Sequence, residues 1–498
     1  MLAPGGLERR LTATGTTALL IGLVFFGALA YWQAFRVDLA TADRNPRVLS
    51  AFYDPQRGRI LDRDGKVLVD NRTSMALQLD PIEIPTTVAG RQELYARIGK
   101  VLAPVLSMTP PSIDHPTAHD ALAFLKVGKN FRGLGKRDSY RLLRWGPMAV
   151  ADLVAEFFET DLLRATVAAR GIYGSFAGPW SAGTSLPLLI QAALDGYAIA
   201  PAAQVIGGMG ALGTALAKAA TAFGAEIRTG VPVERVIVRG NRAVGVVLAS
   251  GEEIAARAVV SNADPKRTFL QLMDTGDLDP DFVQKIRNYR SAGVAAKINY
   301  ALAGLPAFPA PKGAAANGAS HLAGRIHIGP EIDYLERAFD AAKYGEYSSA
   351  PYLDVTIPSV ADPELAPGGQ HVMSVYAQFA PITLKAGDWA DHAGAFGDVV
   401  TDVIERYAPG FRELVVERQV ISPADLEDVY GLTGGHPLHG EPTLDQFFTF
   451  RPVIGWARYR TPVDGLYLCG AGTHPGGGVT GLPGMNASRE ILRDRAGR

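Results

Sequence analysis

Cysteine is nearly absent. A single one, Cys469, in 498 residues leaves no intramolecular disulfide, no CxxC redox pair and no cysteine zinc cluster. Excess charge is missing too: 49 lysines and arginines stand against 50 acidic residues, a formal charge of -1, so composition carries no footprint for nucleic acid. No Ser-His-Asp order, paired carboxylates or GKS/GKT loop supports a hydrolase or a kinase. Long apolar runs are confined to the first forty residues. What is present is an ordinary globular balance, with 47% hydrophobic and 20% charged residues, enough for a sizeable core in two or three folded units. Glycine is in excess, 55 in all. That points to tight turns or to backbone packed against a ligand.

From Leu11 to Phe35 no residue is charged, and Ala18–Phe35 is almost wholly apolar. As a helix that core spans about 27 Å, close to the thickness of a bilayer's hydrocarbon layer. Arg9, Arg10 and Arg36 flank the run, and Tyr31 and Trp32 suit a membrane interface. The expectation is a single-pass anchor in a bacterial inner membrane. A cleaved signal peptide, with Ala28-Leu29-Ala30 as its small-x-small site, and a buried soluble helix are the alternatives. Next, Arg59–Leu61 and Val67–Val69 flank Asp62-Arg63-Asp64-Gly65, which is hairpin turn chemistry. An anchor, Arg-Asn-Pro-Arg at 44–47 and then RGRILDRDGKVLVDNR at 57–72 resemble the start of class B penicillin-binding proteins. In that family the segment is a non-catalytic pedestal. No Ser-x-x-Lys nucleophile set follows, so the resemblance covers about residues 7–90 and implies no penicillin-binding activity.

Residues 91–170 read as helical, with prolines at 110, 111 and 116 breaking the pattern. Gly208, Gly210 and Gly213 formally satisfy G-x-G-x-x-G, with Glu226–Val231 as the following strand and Glu234 near the place of a ribose-binding acid. Two readings stand: a pyrophosphate loop, or glycines at a helix entry. Val231–Val238, Ala243–Ala249 and Ile254–Val260 form a β-meander. Strand-like runs at Val294–Ala301, His321–Ile328, Tyr352–Ile357 and His371–Phe379, with a helix at Phe396–Tyr407, suggest a separate α+β substrate domain.

The C-terminus carries the strongest pattern. The apolar strand Gly465–Cys469 enters Gly470-Ala471-Gly472-Thr473-His474-Pro475-Gly476-Gly477-Gly478-Val479-Thr480-Gly481-Leu482-Pro483-Gly484, and Met485–Arg493 is helical. So many glycines let backbone approach a planar or phosphorylated ligand, and the helix N-terminus faces it with a positive dipole. His474 is a weak catalytic candidate within this loop. His436, His439 and Glu441 have metal-like spacing, but Pro437 between them and the lack of a helix argue against a metal site. Asp445, Arg451 and Tyr459 read as structural polar partners.

Residues from about 100 to 498 resemble phytoene-desaturase-like FAD-dependent oxidoreductases, of the branch called pyridine nucleotide-disulphide oxidoreductase domain-containing proteins, type 2. Carrying it are Gly207–Leu212, Gly224–Ile227, Val260–Pro265, Tyr334–Ala338, Thr433–Gly440, Leu444–Gln446, Arg451-Pro452 and above all Leu466–Gly484. The resemblance implies FAD as cofactor and hydride removal from an apolar small molecule. It places Val233 at the adenine end, and Gly470, Ala471, Gly472, Gly478, Val479, Gly481, Pro483 and Gly484 at the isoalloxazine. It also places the family's dinucleotide fingerprint in an N-terminal βαβ unit. Here the anchor and hairpin stand in that place, so half of the pyrophosphate site is expected to be missing and FAD to bind poorly.

The expected fold class is α/β plus α+β: an incomplete Rossmann-type FAD domain and a mixed-sheet substrate domain, after a transmembrane helix and a small β module. The divisions are 1–10 (cytoplasmic), 11–35 (anchor), 36–90 (pedestal), 91–265 (helical and FAD segment), 266–430 (substrate domain) and 431–498 (C-terminal FAD segment). A membrane-tethered cell-wall scaffold is the rival function. A third reading joins two unrelated genes within residues 84–103.

Overall fold

The computed structural model describes residues 60–61, 67–69, 99, 101–112, 117–194, 205–309 and 321–496. The chain divides into two compact units, Met1–Ile84 and Pro85–Arg498. In the first, β1 (Ile60–Leu61) pairs antiparallel with β2 (Val67–Val69), the hairpin that the turn residues predict. The anchor expected at Leu11–Phe35 lies outside the described residues, and among those no helix is long and apolar enough to cross a membrane.

The second unit begins with helices, as the periodicity predicts: α1 (Ala118–Gly133), α2 (Gly135–Trp145), α3 (Val150–Ala155), α4 (Asp161–Ile172) and α5 (Ser185–Leu194). Thr117 caps α1 in a capping box, its hydroxyl accepting from the Asp120 amide while Asp120 accepts from the Thr117 amide. The fifteen residues of α6 (Gly208–Ala222) bury nothing. Gly207, at φ 81°, is its N-cap, so Gly208, Gly210 and Gly213 lie inside the helix, with no phosphate-loop geometry. The strand expected at Glu226–Val231 does not form; that stretch is exposed and irregular, and pairing begins only at β3 (Val233–Arg239).

Strands β3, β4 (Arg242–Leu248) and β5 (Glu253–Ala255) form the expected meander. The third run, however, is cut in two. At 256–258 the chain leaves that sheet, and β6 (Val259–Ser261) pairs in parallel with β12 (Leu466–Leu468). Phe269, the α7 helix (Pro280–Arg287) through Phe282 and Ile286, and Leu466 and Leu468 form the core beneath.

The substrate-domain sheet has the order β11-β7-β10-β9-β8 in this numbering: β7 (Ala295–Leu302), β8 (Arg325–Ile328), β9 (Tyr352–Thr356), β10 (His371–Gln378) and β11 (Val415–Ile421). Every pairing is antiparallel, which corrects the mixed sheet expected from sequence. Successive neighbours β8, β9 and β10 simply alternate in direction, and apolar periodicity does not encode strand direction. The α8 helix (Ile332–Lys343) joins β8 to β9. Ile298, Tyr300, Leu353 and Val375 pack on Phe396, Val400 and Ile404 of α9 (Trp389–Tyr407), a helix capped by Asp388. The chain closes with β12, the glycine-rich loop and α10 (Leu482–Ala496).

Candidate functional site

The glycine loop is built by close backbone approach. A Cβ on Gly470 would lie 2.5 Å from the Asn262 carbonyl oxygen, and one on Gly472 would lie 2.4 Å from Pro265 Cδ. Neither neighbour is a flexible side-chain end, so only glycine fits. Gly476, Gly478 and Gly481 have positive φ, and so does Val479 at 57°.

Arg451 holds the loop from below. It is 2% exposed, and its Nε and Nη2 donate to the Ala471 carbonyl oxygen at 3.1 and 2.8 Å. Its Nη1 reaches the Glu441 and Gln446 carbonyls at 3.1 and 3.3 Å, and Nη2 reaches those of Leu438 and Gly440 at 3.0 and 3.3 Å. One guanidinium thus fastens 438–446 to 471. Tyr459 and Asp445 are structural as well. The Tyr459 hydroxyl bonds to the loop, while Asp445 receives Arg290 at 2.6 Å through two oxygens.

Above the loop lies a cavity of about 670 Å³. Ala471 and Pro475–Val479 form one side; Arg325, His327, Tyr352 and Asp354, from β8 and β9, form another. Arg170 and Tyr173 at the end of α4 complete the wall, with Ile190 and Gln191 of α5. Gln378 fixes that helix end: its Nε2 donates to the Ile172 carbonyl oxygen at 2.8 Å, and its Oε1 accepts from the Gly174 amide at 3.1 Å and the Tyr376 hydroxyl at 2.8 Å. Tyr376 in turn stacks on Tyr173, with ring centroids 4.2 Å apart and planes at 20°. Burial pushes the Tyr173 phenol up to about 12 and the His327 ring below its ordinary value, so both are uncharged at neutral pH. Burial raises the Asp354 carboxyl, while Arg325, Arg170 and Lys297 pull it down.

The cavity unites some of the predicted residues and omits others. Ala471, Gly478 and Val479 line it; Gly470 and Gly472 support it from behind. Gly481 immediately precedes α10, and Pro483 and Gly484 lie in its first turn, just past the lining. Val233 is 40% exposed on β3, and neither it nor Gly208, Gly210 or Gly213 lines the cavity. His474 does not either. It is fully buried, bonded through Nε2 to the Val105 carbonyl oxygen at 2.8 Å, and set edge-on to Phe447 and Phe448. His436 Nδ1 accepts the Leu438 and Gly440 amides, and Glu441 meets Arg290 at 3.3 Å, so both serve the loop scaffold. Sequence reasoning missed Arg170, Tyr173, Arg325, Tyr352 and Asp354. The available signal was a charge inside each of two apolar strand patterns, Arg325 in β8 and Asp354 in β9.

The glycine cradle fits a flat ring system, because at Gly476–Gly478 backbone takes the place of side chains on that side of the cavity. The first turn of α5 reaches the cavity through Pro187, and α10 begins just past the lining.

Comparison with known proteins agrees with the site. Residues 149–492 match the flavin containing amine oxidoreductases, and residues 53–145 match the penicillin-binding protein dimerisation domain. The chain is 38% identical over 416 residues to "Pyridine nucleotide-disulfide oxidoreductase domain-containing protein 2" of Rattus norvegicus, covering 81% of this chain and 71% of that protein. It is 33% identical over 290 residues to a neurosporene-forming phytoene desaturase of Rhodobacter capsulatus, covering 58% of this chain and 52% of the relative. An oxidoreductase structure from Methanosarcina mazei aligns with a TM-score of 0.46 at 15% identity, over 76% of this chain and 73% of that one. The chain belongs to the flavin containing amine oxidoreductase family, and is an FAD-dependent oxidoreductase.

Proposed function

We propose that this chain removes hydride from an apolar small molecule held in the cavity between the glycine loop and β8–β9. The observation that carries the reading is the cavity itself, backbone-walled on one side and lined elsewhere by Ile190, Pro437, Leu438 and Phe447. Bound FAD supplies the hydride acceptor. Ala471 and Gly476–Gly478 would lie against its ring system, with the α10 N-terminus favouring negative charge at the ring's pyrimidine edge. The protein's own work is to seat the substrate, align the bond to be oxidised and exclude water. The phytoene desaturase relative, named for a hydrocarbon, supports an apolar substrate.

FAD retention is the second part of the proposal. The family resemblance puts a pyrophosphate-binding βαβ unit where this sequence carries the hairpin segment; loss of that unit's several charge-assisted hydrogen bonds, at about 1.5–3 kcal/mol each, would weaken binding by orders of magnitude. The chain alone therefore holds FAD weakly. The purified protein is incubated with excess FAD, desalted, and its visible spectrum recorded. A small, substoichiometric flavin band is expected; a full equivalent of bound flavin overturns the weak-binding reading. The match of residues 53–145 to a penicillin-binding protein dimerisation domain favours membrane tethering of the chain. Protease treatment of spheroplasts tests which side the main unit faces, and recovery in the soluble fraction removes the tether.

A further inference from the structure

The charges around the cavity are unbalanced. Arg170, Arg325 and Arg451 line it, and among its described lining residues Asp354 is the one carboxylate. Arg451 is committed to backbone carbonyls beneath the loop. The other two arginines share the wall opposite the loop with Asp354, which forms an ion pair with Arg325. Lys297, on β7 two strands away and outside the lining, adds a weaker pull on the same carboxylate. On that wall two lining cations thus face one anion. A surplus of positive charge in a partly enclosed site attracts an anion, and low-dielectric walls focus that field.

Polarity is also graded along the cavity. The Arg325 side chain is 52% exposed and marks the mouth, whereas Leu438 and Phe447 lie toward the loop. Tyr173, held by its stack on Tyr376, sits beside the arginines with a hydroxyl that stays protonated. An arginine fork and a phenol are donors matched to a carboxylate. An amine would meet two guanidiniums and find the one carboxylate already claimed.

We propose that the cavity takes an apolar molecule ending in a carboxylate, the anionic end docked at Arg325, Arg170 and Tyr173 and the apolar body directed toward the glycine loop. This inference rests on the reading of the cavity as the substrate site. Its test uses three probes of equal chain length, decanoate, decan-1-ol and decylamine, titrated calorimetrically into the full-length protein. Decanoate is expected to bind at least about tenfold more tightly than decanol, and decylamine most weakly. Arg325→Gln should bring decanoate down to the level of decanol and leave decanol unchanged. Asp354→Asn, which frees Arg325 from its partner, should tighten decanoate; it keeps the test decisive if Arg325→Gln does not fold. Equal binding of the three probes, or tighter binding of the amine, overturns the anionic end while leaving the apolar cavity in place. Failure of all three to bind overturns the cavity reading, and this inference with it.

Discussion

The Tyr459 hydroxyl donates to the His474 carbonyl oxygen at 2.8 Å and accepts the Asn486 side-chain amide at 2.9 Å. One buried phenol therefore ties the glycine loop to the helix that follows it. Replacing Tyr459 by Phe keeps the ring and leaves a buried carbonyl and a buried amide each short of a partner. The expected loss is about 1–3 kcal/mol, read from the urea unfolding midpoint. An unchanged midpoint means that the tie contributes nothing.

Two glycines of the same loop and helix should respond with opposite sign. Gly470→Ala drives a methyl to within 2.5 Å of the Asn262 backbone oxygen, while a Cβ on Gly484 meets nothing within 4 Å. Gly470→Ala should cost about 1–3 kcal/mol through overpacking. Gly484→Ala, in the first turn of α10, should gain up to about 1 kcal/mol. Thermal melts of the pair decide it; equal shifts would remove the close-approach explanation.

The C-terminal strand, loop and helix were legible because their pattern is local: apolar strand, glycine cluster and amphipathic helix follow one another without a break. The substrate-domain strands were legible for the same reason, since β7, β9 and β10 keep their apolar spacing. Their directions were not, and neither was the cavity wall. Arg170 and Tyr173 come from a helix end, and Arg325 and Asp354 from two strands far along the chain, brought together by pairing and by the Gln378 bonds. No local motif announces such a meeting. The glycines at 208, 210 and 213 show how one spacing carries two readings. Their spacing suits a phosphate loop and equally a helix entry, and they lie within an exposed helix.

Acid should destabilise the protein as soon as the pH falls below the ordinary histidine range. Burial holds the ring of His436 down to about 3 and that of His474 down to about 4. An unfolded histidine takes its proton near pH 6.5, so between there and the folded values the unfolded state binds more protons. The stability due to these rings is complete above about pH 6.5 and is lost as pH falls toward the folded values. The melting temperature should therefore drop steadily below pH 6.5 or so. His436→Asn retains an acceptor for the Leu438 and Gly440 amides and cannot titrate, so it should flatten part of that slope. An identical slope in the variant assigns the protons to other groups.

The final expectation separates a buried arginine from an exposed one. Arg451 spends its donors on five carbonyl oxygens, those of Leu438, Gly440, Glu441, Gln446 and Ala471, and is 2% exposed. Arg290 makes a stronger-looking pair with Asp445 at 2.6 Å, but its side chain is 45% exposed and that of Asp445 63%. Solvent screens the second arrangement and holds its worth to about 1 kcal/mol or less. In the first, lysine offers three donors on a point charge where a planar fork of five is needed, and the Gly440, Glu441 and Gln446 carbonyls left behind are buried. Arg451→Lys should then cost about 3 kcal/mol or more, and Arg290→Lys a fraction of that. Urea titrations of the two variants compare them directly. Because Arg451 also fastens Ala471, its loss should loosen the cavity floor and further lower the flavin retained after desalting, whereas Arg290→Lys should leave retention as it was. Equal stability losses in the two variants would mean that burial is not what sets the strength of the Arg451 clamp.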